Sequence, residues 1–224
     1  MVITGTGRSG TTFLVQLLTN LKLNTGYTQE TIQEDMNEHA RAGLEMDVRK
    51  VGAPHIVKST YFCDYVDDVV KREDIKLEHV FVPMRDLYAA AESRRYVTEK
   101  AVSKKPFLKR LIDRIRPPKI AGGLMHSRSK CKQEKILMAQ FYNLALALAE
   151  AHIPVTLLQF PKLVKDSAYL YEKLRPILGN ISYFEFASTF KRTVRPELVH
   201  DFNNNDYRGR ALNCAPRPSQ MGNL

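Results

Sequence analysis

The chain has 224 residues, 44% of them hydrophobic, with 34 Lys and Arg against 24 Asp and Glu and a formal net charge of +10. That length suits one α/β domain with a substantial core, and no apolar stretch reaches the length of a membrane span. Cys63, Cys131 and Cys214 form an odd, scattered set without metal-ligand spacing, as expected of a reduced, cytoplasmic protein.

Met1-Val2-Ile3-Thr4 is a short β-branched run that reads as a first strand. Because it starts directly after Met1, no room for a targeting segment is expected. Gly5-Thr6-Gly7-Arg8-Ser9-Gly10-Thr11-Thr12 follows, and then helical spacing on Phe13, Leu14, Leu17, Leu18 and Leu21. Strand, glycine turn and helix stand in the order of a phosphate loop, which aims the first helical amides and the positive end of the helix dipole at an anion. A nucleotide-hydrolysing loop reads G-x-x-x-x-G-K-S/T. Here Gly5 and Gly10 keep the spacing, Thr11 takes the lysine position, and the cation has moved to Arg8. The cradle is kept, but the groups for a triphosphate with magnesium are altered.

The polar, acidic stretch 28–50 is expected to be helical and near the substrate. Strands are expected at about 55–59, 78–84 and 153–160. Lys58 lies at the carboxyl end of the first of these and Arg85 at that of the second, with Ser93 two turns into the next helix. Ligands of open α/β sheets bind beyond the carboxyl ends of the strands. There an arginine can fork onto phosphate oxygens. The alternative is that Arg85 pairs with a carboxylate such as Asp86.

Between Arg94 and Lys135, fourteen Lys and Arg face three acids, a net of +11, so the rest of the chain sums to −1. Phe107, Leu108, Leu111, Ile112 and Ile115 fall on one helical face, with basic residues on the other and Pro117-Pro118 as the stop. This insert, near 104–132, is open to three readings: a surface helix packed by its apolar face, a lid attracting an anionic nucleotide or acceptor, or a peripheral contact with an anionic membrane. Its charge alone would allow nucleic acid, but no such motif is present and none is expected as a partner. Ile136–Ala149 reads as a buried helix. The alternation of strands and helices argues a mostly parallel sheet in one domain, 1–200, followed by an irregular tail, 201–224.

Arg8-Ser9-Gly10-Thr11-Thr12, and Arg85 after a strand with Ser93 eight residues on, resemble the two signatures of sulfotransferases that use 3′-phosphoadenosine 5′-phosphosulfate (PAPS). The resemblance is nearest in feel to the bacterial and carbohydrate-type members, and covers residues 1–195 in overall order. It implies a P-loop NTPase-like three-layer sandwich with a mostly parallel central sheet. It also implies PAPS as co-substrate, without metal, and transfer of a sulfuryl group to a hydroxyl or amine, on a glycan or lipid among the open acceptors. Gly7, Arg8, Ser9, Gly10, Thr11 and Thr12 would bind the 5′-phosphosulfate, and Arg85 and Ser93 the 3′-phosphate. Lys58 matches a lysine near the transferred group, with Thr60 standing where cytosolic members have a catalytic histidine. Lys58 reads equally as a solvated strand-end lysine.

Another branch places a glutamate base where Glu30 falls. Glu30 reads alternatively as part of a helix start capped by Thr28. His39 and His55 are the reserve bases, and Arg208 and Arg210 in the tail are candidates to cover the donor. Two rivals stay open: a kinase on the same fold, with Asp86 as its magnesium carboxylate, and a non-catalytic polyanion-binding module using residues 94–135.

Overall fold

The computed structural model describes residues 1–37, 42–104, 109, 112–113, 120–127 and 132–199. The strands are β1 (Val2–Ile3), β2 (Met36–Asn37), β3 (Ala42–Gly43), β4 (Val57–Lys58), β5 (Val80–Met84) and β6 (Val155–Gln159). Four of them form an all-parallel sheet in the order β4-β1-β5-β6, with Val2 opposite both Val57 and Val80, and Val80 opposite Val155. The helices are α1 (Thr11–Asn20), α2 (Thr31–Glu34), α3 (Val66–Val70), α4 (Leu87–Ser103), α5 (Gln133–Glu150), α6 (Ser167–Leu178) and α7 (Tyr183–Thr193).

The period-two alternation of strands sorts neighbouring residues onto opposite faces. Ile3, Phe81 and Leu158 pack with Leu14 and Leu18 of α1, Leu170 and Leu174 of α6, and Phe186 and Phe190 of α7. Val2, Val80 and Val82 pack instead with Val66 and Val69 of α3 and Leu144 and Leu148 of α5. Helices therefore cover both faces of a parallel sheet, an α/β arrangement compatible with a three-layer sandwich. Every strand of this sheet points the same way, so the turns after Ile3, Lys58, Met84 and Gln159 share one edge.

Two expectations change. The stretch 28–50 is not one helix: α2 is a single turn, followed by the antiparallel pair β2–β3 with Met36 opposite Gly43. Gly43 has φ +142°, and a Cβ there would lie 2.3 Å from the Asp35 carbonyl oxygen, so the backbones approach as only glycine allows. The run Ile136–Ala149 is helical within α5 but half-buried. Leu137, Leu144 and Leu148 face inward while Met138, Tyr142 and Leu146 are exposed. The basic excess is not all surface: Arg94 and Arg95, on α4, are buried. Most of the insert near 104–132 and all of the tail 201–224 lie outside the described residues. Among the described residues no helix is long and apolar enough to cross a membrane, and no His, Cys, Asp and Glu cluster is placed to hold a metal.

Candidate functional site

The loop after β1 is built on left-handed backbone. Gly7, Arg8 and Gly10 have φ values of +63°, +57° and +91°. Gly10 precedes α1 directly, and a Cβ on it would meet Leu163 Cδ1 at 3.0 Å. A Cβ on Gly7 would meet Arg94 Nη2 at 2.6 Å. Both positions thus favour glycine by φ, and a side chain at either would crowd its neighbour. The turn leaves the first amides of α1 facing the edge where the strands end.

Against this loop the chain brings two segments from far away in sequence. Arg8 Nε donates to Ser93 Oγ at 3.1 Å, and Arg85 Nη1 donates to the Arg8 carbonyl at 3.0 Å. Arg85 also lies over the Phe160 ring, 4.9 Å from its centroid. Asp86 accepts from the Ala89 amide at 2.8 Å as the N-cap of α4. It sets where the helix carrying Ser93 begins, and it does not line the cleft.

These residues border a cleft of about 1490 Å³. Gly7, Arg8, Gly10, Thr11, Thr12, Lys58, Arg85 and Ser93 all line it. Ser9, expected with them, does not line it: it is fully buried, and its Oγ has no partner among the described residues. Four lining cations, Arg8, Lys58, Arg85 and Arg94, cluster around the loop, and Lys100, Arg192 and Arg195 add three more. Glu45 is the one carboxylate among the described lining residues. Such an imbalance gives the cleft a positive field, which favours negative charge there.

Glu45 and Arg94 were missed in the sequence. Arg94 is 4% exposed and has no acid within ion-pair reach among the described residues. Its guanidinium donates to the Thr6 carbonyl from both Nε and Nη2, and from Nη1 to the Gly123 carbonyl at 2.7 Å. Burial pushes it down to about 10 from the ordinary arginine value. Burial also lowers Arg8 and Lys58, the latter against the opposing pull of Glu45. Glu45 Oε1 accepts from Lys58 Nζ at 2.7 Å and from Thr60 Oγ1 at 3.1 Å, and Oε2 accepts from the Thr60 amide at 2.8 Å. Lys58 also donates to the Gly43 carbonyl. Buried and paired, it is not a solvated strand-end lysine.

Glu30 stands elsewhere. It is exposed and does not line the cleft, and a hydrogen bond with Thr28 holds its carboxyl below the usual glutamate value. Its place outside the cleft argues against it as the proton acceptor. His55 precedes β4 at the amino edge of the sheet, where it contacts Glu78 at 3.0 Å. His39, Arg208 and Arg210 lie outside the described residues.

Compared with protein-family models, curated proteins and solved structures, the chain matches none.

Proposed function

We propose that the chain is a PAPS-dependent sulfotransferase on a phosphate-loop α/β fold. The observation that carries this reading is the meeting of Arg8, Arg85 and Ser93 at one strand edge, joined by the Arg8–Ser93 and Arg85–Arg8 hydrogen bonds. The glycine cradle at the start of α1 fits a loop made for an anion. Thr11 in place of the loop lysine, with Asp86 engaged as a helix cap, disfavours a kinase.

The donor brings an activated sulfuryl group. In this reading the α1 amides and Arg8 bind its phosphosulfate, and Arg85 with Ser93 its 3′-phosphate. Glu45 takes the proton of the acceptor hydroxyl as the new oxygen–sulfur bond forms. The sulfur–oxygen bond to the donor phosphate breaks, and its electron pair stays on the phosphate oxygen. Arg8 and Lys58 stabilise that charge, preorganised and partly shielded from water.

Adenosine 3′,5′-bisphosphate is the probe. At about a hundredfold excess over its Kd it should stabilise the fold by about 2.7 kcal/mol. For a chain of this size that is a rise of roughly 5–10 °C in Tm. ATP with magnesium should do little. Stabilisation by ATP–magnesium with none from the bisphosphate would replace this reading with the kinase.

A further inference from the structure

The cleft is larger than one nucleotide needs. Ligand pockets usually span about 300–1,000 Å³, whereas this one reaches about 1490 Å³ and continues along the side of α1. Thr11 and Thr12 line it at the start of that helix, and Gln16 and Asn20 line it further on. At 1.5 Å per residue, Asn20 stands roughly 13 Å from Thr11.

Across from Asn20 is the end of α7. Asn20 Nδ2 donates to Thr193 Oγ1 at 2.9 Å, and the Phe13 and Phe190 rings meet edge to face. This contact brings Arg192 and Arg195 to the far end of the cleft, which both line. Arg192 donates to Thr189 Oγ1 at 3.2 Å, and Arg195 to the carbonyls of Arg192 and Val194. Neither has an ion pair to a described acid. The other wall of this stretch carries Gln29 and Gln33, both exposed, beside Ile32. The distal half thus offers carboxamides that donate and accept, and then two arginines.

We propose that this distal half is the acceptor subsite and takes an elongated, hydroxyl-rich, anionic molecule, an acidic oligosaccharide in chemical class. The carboxamides pair with hydroxyls in either sense, and Arg192 and Arg195 hold a carboxylate or sulfate roughly 13 Å from the loop. That a hydroxyl of this molecule receives a sulfuryl group rests on the sulfotransferase reading. The anion subsite does not.

The test is calorimetric titration of the full chain, with and without saturating adenosine 3′,5′-bisphosphate. The probes are a uronic-acid tetrasaccharide and its carboxyl-reduced counterpart, in which each carboxylate is replaced by a neutral hydroxymethyl group. The acidic form should bind at least tenfold tighter, and Arg192→Ala/Arg195→Ala should erase that preference, a loss of roughly ten- to a hundredfold in affinity. Both positions are exposed, so the fold should survive and the bisphosphate Kd should stay within about twofold. Equal affinity for the two tetrasaccharides, binding of neither, or a parallel loss of bisphosphate affinity in the double variant would overturn the subsite. Binding of the acidic form without any bisphosphate response would leave the subsite standing and remove the sulfotransferase reading.

Discussion

Glu45 and Glu30 differ by fifteen positions and in their access to the cleft. Glu45 lines the cleft, 2.7 Å from a buried lysine, while Glu30 is exposed on the turn before α2. Glu45→Gln should therefore lower turnover by roughly two to four orders of magnitude, the size of a general-base contribution. Glu30→Gln should change it less than about twofold, and bisphosphate affinity should be nearly unchanged in both. Steady-state release of adenosine 3′,5′-bisphosphate from PAPS with an active acceptor measures this. Normal turnover of Glu45→Gln would sink the assignment. Arg8, Arg85 and Ser93 were legible as residues because their spacing from a strand end encodes a position. Glu45 was not: its role depends on β3 folding back towards β4, a contact with no period in the sequence. Arg94 hid in a run of cations, where burial leaves no mark.

At the scale of elements, the strands near 55–59, 78–84 and 153–160 were legible from β-branched runs, and they appear as Val57–Lys58, Val80–Met84 and Val155–Gln159. The β2–β3 pair was not legible, since two-residue strands carry too little pattern to outweigh a polar, helix-favouring composition. The glycine loop between β1 and α1 is the element most exposed to single changes. Gly10→Ala forces an L side chain to φ +91° with a Cβ contact of 3.0 Å. It should cost about 1–3 kcal/mol in stability by chemical denaturation. It should also weaken bisphosphate binding, because the turn that aims the α1 amides shifts. A neutral Gly10→Ala would mean that the loop is looser than its dihedral angles imply.

On the scale of the whole molecule, the sequence foretold a parallel sheet, but not that the cations from distant segments would crowd one edge. Arg94 is a base whose folded value, about 10, lies below the ordinary arginine value because of burial. The unfolded chain therefore holds more protons between those values, and stability gains as pH rises through that window. Below it the charged, buried group costs roughly 3 kcal/mol, from that shift at about 1.4 kcal/mol per unit. A bound anion offsets this cost where Arg94 is charged. Sodium sulfate should thus raise Tm more than chloride of equal ionic strength at pH 7.5, and the difference should shrink by pH 10.5. A sulfate effect that holds steady across that range would separate anion binding from the buried arginine.

The same arginine has a mechanical side. A guanidinium is a flat, rigid fork, and this one grips Thr6 with one edge and Gly123 with the other. It works as a crossbar between the glycine loop after β1 and the backbone at Gly123, within the basic insert. The positions of those two pieces of backbone cannot drift independently while it holds. Any displacement of the loop on meeting an anion is handed to Gly123, and any pull on the insert is felt at Thr6. An ammonium lacks the fork, so a lysine at this position would keep the charge while cutting the linkage.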